Sequence, residues 1–275
     1  MGYALAFGLL AGAMIVYPAE AAAAAGDGLA LWARSVAPVL GPFLACMLML
    51  SSRVGGGMMV KIALGWLCGS PGGARLMQDC GLEGKNALRA AAMTGTMSPM
   101  FFLGTVSGWL NDPSGGRLIL LCHIAGALAL GLCIPCGKIN APVSAVPIPL
   151  PQALRDSALA LLTVALCMML GCTAARMAAC AFPNLPDWAA AALQCALEVT
   201  GGVKALIGLG NPYAIPLICA ACSFGGLSIL LQNAAFWQKS GVSIGKLLLL
   251  RMAHASISFA LCLALKAVGW QHMPQ

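Results

Sequence analysis

Glu198 is the residue of this chain best placed for ion or proton chemistry. It stands in Leu197-Glu198-Val199-Thr200-Gly201-Gly202, within an apolar segment. A carboxylate at membrane depth is costly and is kept where it faces a cavity or an ion or proton path. Glu198 could bind a coupling cation, take up a proton, or pair with Lys204. The plainer alternative is a carboxylate that reaches the outer surface from a shallow segment. His123 and His254 lie inside two other apolar runs, where an imidazole titrates near neutrality or bonds a neighbouring helix.

A second set of residues would offer backbone and hydroxyl groups to a ligand. Gly69-Ser70-Pro71-Gly72-Gly73 and Thr200-Gly201-Gly202 read as two hairpin tips. They supply Ser70, Gly72, Gly73, Thr200, Gly201 and Gly202, and glycine permits left-handed turns and close backbone approach. Thr96-Met97-Ser98-Pro99 and Ser223-Phe224-Gly225-Gly226 read as interruptions of two spans, with Thr94 and Ser228 beside them and Gln232 and Asn233 one turn further on. Irregular backbone inside a membrane survives only where protein, water or ligand satisfies it. Two tips and two breaks at matching places therefore predict one central polar site. Taken singly, each small residue reads equally as helix packing. Arg75 and Lys204 follow the two Gly-Gly pairs, in the first turn of each second arm, where anions are attracted. They are candidates for an anionic substrate, or each neutralises a nearby acid.

The elements that would position these residues follow from hydropathy. The chain of 275 residues is 60% hydrophobic and 8% charged, against roughly 25% charged in soluble domains. Its mean hydropathy is +0.90. The composition predicts an all-α polytopic membrane protein in contact with the lipid bilayer. Seven spans are expected at about 2–18, 32–52, 86–109, 117–135, 154–175, 213–236 and 246–266. Residues 57–81 and 187–209 each hold two arms too short to cross a ~30 Å core, the signature of a re-entrant hairpin. The N-terminal run has no basic n-region, so a retained span is expected there rather than a signal peptide. Prolines 142, 147, 149 and 151 make 137–152 a linker between halves.

The two halves repeat. Gly72-Gly73-Ala74-Arg75 returns as Gly201-Gly202-Val203-Lys204, and Gly116-Arg117-Leu118 as Gly245-Lys246-Leu247, both at an offset of 129 (201 − 72 and 245 − 116). The expected organisation is an N-terminal span and connector (1–30), a first repeat (31–136), the linker (137–152) and a second repeat (153–268). Each repeat reads span, hairpin, broken span, span. A cytoplasmic N-terminus places Arg53, Lys61, Lys85, Arg89, Lys138, Arg155, Lys239, Lys246 and Arg251 inside or at the inner boundary. Arg34, Arg117, Arg176 and Lys266 fall outside, which satisfies the positive-inside rule. In that layout the repeats are antiparallel, an inverted repeat.

The net charge of +7 is explained by cationic loops and calls for no nucleic acid. The 13 cysteines sit mostly in apolar runs as small hydrophobes. Cys133-Ile134-Pro135-Cys136 is a lone CxxC, so neither a metal site, a disulfide framework nor any cofactor is expected. No Ser-His-Asp arrangement or phosphate loop is present, so no enzyme is expected. Trp66, Trp109, Trp188, Trp237 and Trp270 read as interface anchors.

Gly69-Ser70-Pro71-Gly72-Gly73-Ala74-Arg75 with Thr96-Met97-Ser98-Pro99-Met100-Phe101-Phe102-Leu103-Gly104-Thr105-Val106 resembles the first half of the YlbJ-like sporulation integral membrane proteins. Leu197 to Gly202 and Ser223 to Gln232 are similar to the second half, so the resemblance covers about 35–265. That group belongs with the nucleoside-recognition, or gate, domains. The resemblance implies an inverted-repeat permease with helical hairpins. For the sporulation branch it implies export of a small organic anion such as dipicolinate. Ser70 stands where that group's tip has an aromatic. The expected function is a transporter of a small polar or anionic metabolite, such as dipicolinate or a nucleoside-like solute. The alternative is a non-transporting scaffold or partner subunit in spore-envelope assembly. Either leaves room for a homo-oligomer or a partner membrane protein.

Overall fold

The computed structural model describes residues 2–54, 57–78, 80–135, 137 and 147–269, so Lys138, Pro142, Trp270 and most of the linker lie outside it. The described residues are helical, with no strand. Five helices are long and apolar enough to cross a membrane: Pro18–Arg53, Pro113–Cys133, Leu150–Ala181, Ala214–Trp237 and Ile244–Ala267. Leu159, Leu162, Leu166 and Leu249 point outward from two of them, more than half exposed, as lipid-facing side chains do.

Three of the expected spans differ in the structure. The first, α1 (Gly2–Val16), has 15 residues and is about 22 Å long, short of a ~30 Å core. The second starts earlier. The Ala/Gly segment with Glu20 and Asp27 is helix α2 (Pro18–Leu31), which runs through a π turn (Trp32–Val36) into α3 (Ala37–Arg53). Alanine is the strongest helix former, and five in a row outweigh the two glycines that follow. The third is broken into short pieces: α6 (Gly84–Thr94), an irregular stretch at 95–98, a π stretch (Phe101–Val106) and α7 (Ser107–Leu110).

The expected hairpins are helix pairs. The first is α4 (Met58–Cys68) and α5 (Gly72–Gln78). After α8 (Pro113–Cys133) comes α9 (Leu150–Ala181), so Leu150, Pro151 and Gln152 are helical rather than linker. The second pair is α10 (Asp187–Leu197) and α11 (Val199–Gly208). Its turn is the single residue Glu198, so Thr200, Gly201 and Gly202 belong to the first turn of α11 and not to the tip. The sixth span is α12 (Ala214–Phe224) and α13 (Gly226–Trp237), hinged at Gly225. The described residues close with α14 (Ile244–Ala267) and a short turn after it. The limits of α10 lie 129 residues beyond those of α4 at both ends (187 − 58 and 197 − 68). Those of α12 lie 130 beyond α6 at both ends (214 − 84 and 224 − 94).

Two apolar clusters hold the elements together. One gathers α4, α5 and α6 against Leu230, Ala234 and Trp237 of α13. The other gathers α8, α10, α11 and α12 around Phe102 and Ile119. Trp237 is thus a core residue and not an interface anchor, and Trp66 donates its indole N–H to Met93 O at 2.7 Å. Trp188 remains 68% exposed, as an anchor would be. Lys61 is buried as well, its Nζ donating to Ser51 O and Val54 O at the end of α3.

Two local devices give testable expectations. Gly69 ends α4 with φ +64, and a Cβ there would lie 2.7 Å from Ser98 Cα. Gly69→Ala is expected to cost at least ~2 kcal/mol, from the left-handed backbone plus the clash. Gly208→Ala, which meets nothing within 4 Å, is the neutral control in the same melting measurement. At the start of α8, Asp112 Oδ1 accepts from Ser114 N, Gly115 N and Ser114 Oγ at 3.0, 3.0 and 2.6 Å. Burial raises its carboxyl, but the bonds from Ser114 and Gly115 and the nearby Arg117 outweigh this and hold it below the usual 3.8. Its contribution is therefore complete above the unfolded value and lost as pH falls through the lowered folded one. Asp112→Ala should cost about 1 kcal/mol at neutral pH. The difference from wild type should vanish in melts well below pH 3.8.

Candidate functional site: a cleft between two tips and two breaks

Both breaks are needed because a hairpin tip docks in each. At the first, Ser70 N donates to Thr96 O at 2.7 Å, and Ser70 Oγ donates to Asn233 Oδ1 at 2.9 Å. At the second, Gly225 and Gly226 adopt φ +83 and +69, so Gly226 can lie against the α10–α11 turn. A Cβ on Gly226 would sit 2.9 Å from Cys195 O. Gly73 and Gly202 allow equally close approach of the arms to their neighbours. A Cβ on Gly73 would lie 2.8 Å from both Gly65 O and Thr94 O, and one on Gly202 2.5 Å from Cys195 Cα. Gly72 packs beneath Leu44.

The irregular backbone at 95–98 is satisfied by side chains from distant helices. Arg251 of α14, 3% exposed, donates through Nη1 to Gly95 O and through Nη2 to Ala91 O and Ala92 O at 3.0 and 3.3 Å. For Ala92 O and Gly95 O it supplies the partner lost where the helix ends, whereas Ala91 O also accepts from Gly95 N at 3.2 Å. Charge counting places Arg251 at the inner boundary, whereas it lies seven residues into α14 and is buried. His123 of α8 accepts from Met97 N through Nε2 at 3.0 Å, so its proton sits on Nδ1, which faces Ser223 Oγ at 2.8 Å. His254 Nε2 lies 2.8 Å from His123 O, an acceptor, so its Nδ1 lone pair faces Arg251 Nη1 at 3.5 Å. The rings are 4.8 Å apart. Both imidazoles are thus engaged in joining the halves, His123 through the Ser223 hydroxyl and His254 through the His123 carbonyl.

Glu198 is 1% exposed and caps α11. Its Oε1 accepts from Thr200 N at 2.9 Å and its Oε2 from Gly201 N at 2.6 Å. The positive end of the helix offsets the buried charge. Lys204 takes no part, since its Nζ lies 5.0 Å over the Trp109 ring. Arg75 is paired with Asp156, Nη2 to Oδ2 at 2.7 Å.

Six of the expected residues line one cleft of about 60 Å³: Ser70, Ser98, Glu198, Thr200, Ser228 and Gln232. Its floor is completed by Met97 and Phe101. The opposite wall comes from Ser35 and Val36 at the π turn and Val39 of α3, with Val164 and Met168 of α9. Thr105, within the second π stretch, donates to Ser35 O at 3.3 Å and ties the two walls together. Ser228 Oγ is buried without a partner, as is Thr96 Oγ1 beside the cleft. Asn233 reaches the site through Ser70, whereas Arg75, Lys204, His123 and His254 are not part of its lining. Sequence reasoning missed Arg251 and Ser35. The signal for Arg251 was a charge inside Leu247–Leu250 and Met252–Ala253, at a depth where a charge needs partners.

The aligned relative is the sporulation integral membrane protein YlbJ of Bacillus subtilis (strain 168). Identity is 29% over 150 residues, covering 46% of this chain and 37% of the relative. The matched stretch thus spans little more than a third of that protein's length. No family model matches the chain, and no solved structure does. The chain is an integral membrane protein. Its apolar helices and this similarity agree on that point.

Proposed function

We propose that the chain is a secondary permease for a small polar solute, with the cleft as the binding site near the membrane midplane. The observation that carries this reading is the convergence of both hairpin turns, the first helix break and the start of α13 beyond the second on one cleft, where hydroxyl, amide and carboxylate groups stand among apolar side chains. Transporters with inverted repeats and discontinuous helices place substrate at such a junction. The matched limits of α4 with α10 and of α6 with α12 favour that plan, with the hairpins re-entrant and the whole akin to a gate domain. Ser70, Ser98, Thr200, Ser228 and Gln232 would bond hydroxyl, carbonyl or amide groups of the solute. Glu198 would take the coupling proton or cation. Sporulation is the context of the relative and comes to this chain through it alone.

The lining carries one ionisable group, the Glu198 carboxylate, and no cation, because Arg75 and Lys204 are engaged elsewhere. The charge of this lining suits a neutral solute. A dianion such as dipicolinate would have to enter with its charge neutralised by the ion that Glu198 accepts.

Uptake into proteoliposomes tests the reading, using labelled nucleosides and dipicolinate with and without a proton gradient. Uptake of one class, lost in Ser228→Val and Gln232→Leu variants that still melt cooperatively, supports it. No uptake, together with no ligand-induced rise in melting temperature, would overturn it.

A further inference from the structure

A second hollow, of about 330 Å³, lies on the far side of Glu198. Cys172, Ala175, Arg176 and Ala179 form one wall, a single face of α9, with Asp27 and Gln194 opposite. It runs from Phe182 and Leu185, in the connection between α9 and α10, to Cys172, ten residues or ~15 Å down α9. That depth is about half of a ~30 Å hydrocarbon core. Asp27 and Arg176 are carried by helices long enough to cross the membrane, and both line the hollow. Charged side chains on such helices face water-filled cavities rather than lipid.

At its floor the hollow is separated from the central cleft by one side chain. Cys172 Sγ, in the hollow, is 4.0 Å from Oε2 of Glu198, which lines the cleft. The turn that carries Glu198 is wedged between two glycines. A Cβ on Gly171 would lie 2.9 Å from Glu198 Cβ and Leu197 O, and one on Gly226 2.9 Å from Cys195 O. At both contacts the neighbour presents a glycine, which has no side chain to key into the turn. The central cleft, with its much smaller volume, holds only a few waters in this conformation, so a metabolite needs an opening.

We propose that the hollow is the aqueous access path to the cleft from the membrane face bearing residues 182–186, and that the α10–α11 turn, with Glu198 at its centre, is the movable partition between them. This rests on the permease reading, but its test does not require transport. Sealed vesicles are treated from one side with a charged, membrane-impermeant methanethiosulfonate, and each cysteine is followed by peptide mass mapping. A lipophilic maleimide serves as comparator. Cys172 should be modified from one face only, at least roughly tenfold faster than buried Cys195. Ala179→Cys, nearer the mouth, should react faster still from the same face. Modification of both positions by the lipophilic reagent alone would show that the hollow faces lipid and would overturn the proposal. So would failure of the charged reagent at both positions. Labelling without any solute uptake would keep the path and remove the permease, whereas uptake without labelling would do the reverse.

Discussion

Arg251→Met is expected to lower the melting temperature of the detergent-purified protein by about 5 °C or more. Two carbonyls, of Ala92 and Gly95, would lose their donor at a depth where water does not replace it, while Ala91 O keeps the bond from Gly95 N at 3.2 Å. Each buried unpaired group costs about 1–3 kcal/mol, so the sum is at least ~2 kcal/mol. Relief from burying a guanidinium works in the other direction, and a buried ion pair replaced whole by apolar residues can even gain stability. Here the partners are backbone carbonyls that no substitution removes, so the loss dominates. Arg251→Lys should recover only part of it, since one ammonium cannot span acceptors that the planar fork reaches with two nitrogens. A melting temperature for Arg251→Met unchanged from wild type would mean that the break at 95–98 is satisfied some other way.

Glu198→Gln should abolish most uptake, by ~100-fold, while leaving a folded protein. A carboxylate accepts both backbone N–H groups, from Thr200 and Gly201. The amide accepts one and turns a donor toward the other. The structural cost is that of a weakened cap, ~1 kcal/mol, too small to explain lost uptake through unfolding. Glu198→Ala should cost up to ~2 kcal/mol, because both N–H groups then go unpaired. Activity and melting temperature therefore separate the two roles. Uptake and its pH dependence both unchanged in Glu198→Gln would remove Glu198 from coupling and leave it a cap.

Much of the skeleton was legible in the residues. Pro99 and the Gly225-Gly226 pair announce the breaks, because proline denies helix to its predecessor and two glycines weaken one locally. The short arms around Gly69 and Glu198 follow from apolar runs too brief to cross a membrane. That Ser70, Ser98, Glu198, Thr200, Ser228 and Gln232 share a cleft follows from the same spacing read twice. What stayed hidden were partners far apart in sequence. Nothing near Arg75 announces Asp156, and nothing near Gly95 announces Arg251. The second tip was placed two residues late because Thr200-Gly201-Gly202 looks like a turn. The carboxylate of Glu198 instead holds those residues in helix.

The bond between Arg251 and the end of α6 also bears on how the protein is made. Synthesis proceeds from the N-terminus, and 156 residues separate Gly95 from the arginine that completes it. Until the last helix leaves the ribosome, the first half cannot reach its finished form, however early its helices enter the bilayer. The newborn chain must wait with bare carbonyls, leaning on water or on the insertion machinery. A message truncated ahead of residue 244 would leave not a half-protein but an unfinished one, with Ala92 O and Gly95 O lacking the donor that α14 brings.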